Sequence, residues 1–271
     1  MLFCTNMREG QQQPIKLLHL LCDFEVGSPE YSVSQAQLLH AFPDFKLAIS
    51  PQAIKKGHVQ AQAIFLRLVR NAFPPGTIHL CHFRTLSRQP KRFVAAWNQG
   101  QLFLAPDNGV LTLLFGAEFT DYYRLNVTEP FQSPLTSTYL PELLRLHEND
   151  FQLDAILEPK DSVVSTQLLA PTMSGNTLRL TVLYNDAHGN AYLNFDRAAF
   201  EYFGAGRSFT LRNSSMSIDR LSRHYDDVIE GEVVALFGWG DLLQIAVNAG
   251  SAQQYLALSE GKMLLLEFYE P

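Results

Sequence analysis

Up to about residue 160, apolar strand-like runs alternate with stretches of helical spacing. From Leu178 onward only short apolar strands remain, each closed by turn residues. That change of pattern constrains the fold more than any other feature. Ile15 to Phe24 reads as a buried first strand, and Ser34 to Ala41 and Val59 to Phe73 carry helical apolar spacing. Pro74-Pro75-Gly76 stops the second helix, and Thr77 to Phe83 reads as the next strand. Phe93 to Trp97 and Gln101 to Leu104 pair around Asn98-Gln99-Gly100, and Tyr139 to His147 is a short helix. The alternation predicts an α/β N-terminal domain over 14–160, a sheet flanked by helices. The strands Leu178 to Tyr184, Ala191 to Phe195, Ser208 to Leu211, Glu232 to Phe237, Leu242 to Val247 and Lys262 to Phe268 predict an all-β, barrel-like C-terminal domain over 172–271. The linker falls within residues 158–177.

Composition excludes several classes. A formal net charge of -6 lacks the basic balance that nucleic-acid binding needs. No apolar run reaches the length of a membrane span, and the first thirteen residues are polar and Gln-rich without a signal core. Three cysteines give no CxxC and no even framework. Cys22 and Cys81 sit in apolar runs, as buried thiols of a reducing, cytoplasmic protein do. His79 and His82 flank Cys81 on a strand, where residues three apart face opposite ways. No metal site is expected. Gly204-Ala205-Gly206 lacks the third glycine of a dinucleotide loop and reads as a plain turn.

Asp23 ends a continuous apolar strand. The carboxyl ends of parallel strands are where α/β sheets bind ligands, and a carboxylate there can accept both hydroxyls of a ribose. The same Asp would serve equally as a helix cap or a loop residue. Asp186 and Asn190 straddle Gly189 in a turn, a position that Asp and Asn occupy for structural reasons alone. Asp107-Asn108-Gly109 reads as a hairpin turn in its own right.

Five stretches in this order carry a resemblance. They are LLCDF at Leu20 to Phe24, FPPGTIHL at Phe73 to Leu80, FLAPDNGVLT at Phe103 to Thr112, YNDAHGNAYLN at Tyr184 to Asn194, and LSRHYDDV through LLQIAVNAGSA ending at Ala252. Together they resemble the SAM hydroxide adenosyltransferase family: S-adenosylmethionine hydrolases, with fluorinases and chlorinases as relatives. The resemblance implies an α/β N-domain and a β-barrel C-domain. It implies homotrimers, with a nucleoside site between one subunit's N-domain and a neighbour's C-domain. It implies S-adenosylmethionine as substrate and no cofactor. Asp23 matches the ribose-binding carboxylate. Asn190 matches the Asn on the adenine side, and Asp186 the acidic residue before that turn. His188 stands where the family has Phe, Gln244 where it has Glu, and Val247 where backbone groups meet the base.

The family's water-handling triad is not matched. Its Asp and Arg follow FPxGTVH, where this chain has Arg84 and Lys91. Its His lies in TFHGRD, where this chain has Pro134. Three readings follow: a hydrolase of weakened or altered activity that gives adenosine and methionine, an adenosyltransferase using halide, or a non-catalytic protein that binds adenosine or S-adenosylmethionine.

Overall fold

A computed structural model of the chain describes residues 16–51, 54, 57–83, 92–116 and 119–269. The chain divides into two compact units. The first comprises residues up to Gly57, Phe73–Asp107 and Thr120–Val163. The second comprises His58–Ala72, Asn108–Phe119 and Val164–Pro271.

The first unit is built on a seven-stranded sheet. Its strands are β1 (Leu17–Cys22), β2 (Lys46–Pro51), β3 (Thr77–His82), β4 (Phe93–Asn98), β5 (Gln101–Pro106), β6 (Tyr122–Leu125) and β7 (Glu158–Pro159). Their order across the sheet is β2-β1-β3-β5-β4-β6-β7. The pairs β1–β2, β1–β3 and β3–β5 are parallel, and the pairs beyond β5 are antiparallel. Alternate residues Leu18, Leu20, Ile78, Leu80, Leu102 and Leu104 form one apolar face, as a period of two requires. Leu38 of α1 (Pro29–Ala41) joins that core, together with residues of a later helix described below. Helix α1 starts earlier than its apolar spacing suggests, because Ser28 caps it through Tyr31 N and Pro29 occupies its first turn.

The second unit includes α2 (Val59–Val69) and α3 (Val110–Phe115). Gln60 Nε2 donates to Leu183 O at 3.0 Å, and Arg67 Nη2 to Asp196 Oδ2 at 3.1 Å. Here one expectation fails. Asp107-Asn108-Gly109 does not close a hairpin. Asn108 Oδ1 accepts from Val110 N, and Gly109 at φ 95° turns the chain into α3 instead of a returning strand. A left-handed residue serves a strand-to-helix turn as well as a hairpin, so the tripeptide does not decide between them.

Following the π-helical turn Leu135–Tyr139, the first unit adds α4 (Leu140–Glu148) and α5 (Leu153–Ile156). Leu143 and Leu146 of α4 pack on the apolar face of the sheet.

The sheet of the second unit is antiparallel throughout. It comprises β8 (Thr172–Ser174), β9 (Thr177–Asn185), β10 (Ala191–Asp196), β11 (Ser208–Arg212), β12 (Ser217–Ile218), β13 (Val233–Phe237), β14 (Leu242–Val247) and β15 (Met263–Tyr269). The order is β12-β11-β15-β9-β10-β14-β13, with β8 beside β9, and the end strands β12 and β13 approach each other. The result is a nearly closed barrel. Leu178, Leu180 and Val182 alternate into its interior with Leu193, Phe195, Leu211, Leu264 and Leu266. Helix α6 (Arg197–Gly204) follows β10, capped by Asp196 through Ala199 N, and α7 (Ala252–Tyr255) follows β14. An α/β N-terminal part and a β-barrel-like C-terminal part are therefore both present, as the pattern predicts. Among the described residues no helix is long and apolar enough to cross a membrane.

Candidate functional site

In the first unit, the carboxyl ends of the parallel strands collect the candidate groups. Asp23 follows the last residue of β1 and is 5% exposed. The register pairs Cys22 with His82, so Asp23 lies just beyond the level at which β3 ends. Beyond the end of β5, the Asp107 carboxylate pairs with Lys160 at 3.5 Å, and both side chains are largely buried. Burial, then the Asp107 charge, pushes the Tyr122 hydroxyl up to about 12. The π-helical turn Leu135–Tyr139 directly follows Pro134 and is tied to β3 by Tyr139, whose hydroxyl donates to Cys81 O at 2.9 Å. The Pro134 side chain has neither a donor nor a titratable atom, so it cannot hold water as an imidazole would. Arg84 and Lys91 lie outside the described residues.

Further back along the sheet, His19 Nδ1 meets His79 Nδ1 at 2.8 Å, and His19 Nε2 meets Ser50 Oγ at 2.9 Å. His19 stacks on Phe73, and His79 stacks on Phe103. Burial, then the neighbouring His79, lowers His19 to about 3. His82 instead stands edge-on to Phe24. The two strand histidines thus diverge. Among the described residues no group of three or more His, Cys, Asp or Glu is placed to hold a metal ion.

In the second unit, the turn between β9 and β10 is organised by one carboxylate. Asp186 Oδ1 accepts from His188 N at 2.9 Å and from Asn190 N at 3.0 Å. Asp186 Oδ2 accepts from Asn190 Nδ2 at 2.9 Å and from Tyr192 Oη at 3.3 Å. The carboxylate fixes the Asn190 amide with its nitrogen inward. Its Oδ1 oxygen and second amide hydrogen are left to other partners. Burial, then Asp186, raises Tyr192, so its hydroxyl stays a donor. Burial, then Asp186 and Glu260, pushes Tyr184 up to about 12. Gly189 has φ 79°, and a Cβ there would collide with the Ser251 side chain. The Gly189 carbonyl accepts from Gln253 N at 2.8 Å. The DAHGN and NAGSA stretches therefore meet at that glycine.

Gln244 is fully buried on β14, opposite Tyr192 in register, and shares hydrogen bonds with Tyr225 Oη at 2.9 and 3.2 Å. Tyr192 thus bonds to Asp186 and lies beside Gln244 in register, while Gln244 itself bonds to Tyr225. His188 is exposed on the turn. Val247, at the far end of β14, points into the barrel core, and its carbonyl accepts from Gly250 N. It is not part of the Asp186 network.

Sequence reasoning missed Tyr192 and Tyr225. Both had a signal. Both lie within stretches that carry the resemblance, Tyr192 in YNDAHGNAYLN and Tyr225 in LSRHYDDV.

The chain belongs to the SAM hydroxide adenosyltransferase family. The family's N-terminal domain matches residues 18–141 and its C-terminal domain residues 180–264. It is 27% identical to the (R)-S-adenosyl-L-methionine hydrolase of Thermus thermophilus, over 90% of this chain and 96% of that one. An uncharacterized conserved protein from Thermotoga maritima has the same fold, with a TM-score of 0.78 at 20% identity over 92% of this chain and 99% of the other. A conserved hypothetical protein from Thermus thermophilus gives a TM-score of 0.67 at 23% identity, over 94% and 100%.

Proposed function

We propose that the chain binds the adenosyl half of S-adenosylmethionine and hydrolyses it, slowly, to adenosine and methionine. The observation that carries this reading is the Asp186–Asn190–Tyr192 network, in which Asn190 and Asp186 match residues of the family's adenine-side turn. An oriented amide offers one acceptor and one donor, the pair that an adenine edge needs. Asp23, at the end of a parallel strand, is suited to accept the ribose hydroxyls. The sulfonium makes methionine a good leaving group, so the reaction needs a water placed in line with the C5′–S bond rather than an acid. The water's oxygen bonds to C5′, the electron pair of the broken bond stays on sulfur, and one proton is released. The name of the Thermus relative supports the same direction of reaction.

The test is incubation of purified protein with each sulfonium epimer of S-adenosylmethionine, with and without halide. Adenosine and methionine in equal amounts are expected. Halo-adenosine would assign the nucleophile to halide. Adenosine binding with no product would favour a binding protein, a reading that Pro134 at the triad's His position favours. The proposed assembly is a homotrimer, and light scattering at micromolar concentration should give three times the chain mass; a stable monomer would remove it.

A further inference from the structure

We propose that His82 holds the attacking water, in place of the histidine that the family pattern puts where this chain has Pro134. The proposal rests on the hydrolase reading and adds a residue that the family's triad does not use.

His82 is the last residue of β3, at the same sheet edge as Asp23. Its ring is 8% exposed, and its Nδ1 is buried with no hydrogen-bond partner among the described residues. Such atoms are uncommon in folded proteins, because an unmade buried hydrogen bond forfeits solvation without replacing it. His19, on the neighbouring strand, is also buried, and both of its ring nitrogens are partnered.

The element packed against this strand end has the same property. Thr138 is fully buried on the π-helical turn, and its Oγ1 also lacks a partner among the described residues. Tyr139, the next residue, anchors the turn to Cys81, the residue before His82. π-Helical turns recur at functional sites because they displace side chains from regular helical register. This one directly follows Pro134, at the position of the family pattern's histidine.

The chemistry suits a neutral ring. Burial lowers His82 to about 4, so near neutral pH it keeps an acceptor lone pair and carries no charge to repel the sulfonium. A weak base suffices when the leaving group is already good. Nδ1 accepts a hydrogen bond from the water, and the oxygen attacks C5′. As the C5′–S bond breaks toward sulfur, the water's proton passes to the imidazole and on to solvent.

The experiment uses the full chain. His82→Phe is expected to lower kcat on S-adenosylmethionine on the order of 10²-fold, the scale of a positioned acid–base group. KM and the adenosine Kd should stay within about twofold, because the group acts on the water and not on the nucleoside. His82→Asn, which keeps a polar atom near the Nδ1 position, should recover part of the rate, and it serves as the probe if the Phe variant does not fold. An unchanged kcat in folded His82→Phe overturns the proposal, as does an unchanged kcat in His82→Asn where that is the variant that folds, or a joint loss of kcat and adenosine affinity. An active wild type with an unaffected variant rejects His82 alone. A wild type that binds adenosine but never turns over rejects both His82 and the hydrolase reading.

Discussion

The Asp186 carboxylate and two buried groups at the carboxyl end of the parallel sheet are hydrogen-bonded in opposite ways. In the turn, both carboxylate oxygens are saturated by donors from His188, Asn190 and Tyr192, and the glycine at its apex is locked against Ser251. At the sheet edge, His82 Nδ1 and Thr138 Oγ1 are buried without partners among the described residues. A saturated network is already organised and suits recognition of a fixed shape. Unsatisfied buried groups suit something that arrives and leaves. On the proposed reading, nucleoside recognition draws on the part that keeps the family's motifs, and the divergence falls where the family handles water.

Acid should separate the two regions most strongly. His19 and His82, both in the first unit, are lowered by burial to about 3 and about 4 from 6.5. A ring held neutral in the fold while it protonates in the unfolded chain leaves stability intact above about pH 6.5. That stability is lost as pH falls toward the folded values. For two such rings the loss by pH 5 is on the order of 4 kcal/mol. The histidines of the second unit, His58, His188 and His224, are exposed or half-exposed. Hydrogen exchange at pH 7 and pH 5 should therefore show β1 and β3 losing protection before β9 and β10. Equal loss in both sheets would show that the buried histidines do not set the acid sensitivity of the first unit.

Next in size is the carboxylate itself. Asp186→Ala strands four donors, and loss of charged hydrogen bonds in a partly buried turn should cost about 2–3 kcal/mol of stability. Adenosine affinity should fall with it, because Asn190 loses its orientation. Denaturant unfolding and calorimetry of the variant check both, and unchanged affinity would remove the turn from the site.

Much of the fold was legible because period-two alternation is written directly into strands that bury one face. Leu242 to Val247 is recovered as β14 residue for residue. What escaped detection had ambiguous local chemistry. Gly109 suits a hairpin and a helix start alike. Helix α6 falls in the stretch read as strands alone, and its cap Asp196 is a local sign of its start. Motif order pointed to Asp186 and Asn190. It could not single out Tyr192, whose role depends on a hydroxyl reaching Asp186, nor His82, whose interest lies in a partner it lacks. Those are facts of three-dimensional contact, and a strand histidine carries no sequence mark of them.

The smallest expected effect is at the turn's exposed tip. His188→Phe, which restores the family's residue, should change stability by less than about 0.5 kcal/mol, since only the backbone N–H of this residue is engaged. Adenosine affinity should stay within about threefold, because both rings can stack on a purine. A larger gain, read by calorimetry, would show the imidazole to be a specificity device.

Whether recognition persists where water handling has diverged is read from adenosine affinity and S-adenosylmethionine turnover, measured side by side with the Thermus thermophilus hydrolase at saturating substrate. Adenosine binding is expected in both proteins, with turnover here lower by on the order of 10²-fold or more, the scale set by a positioned acid–base group. Equal turnover, or no adenosine binding at all, would contradict this expectation.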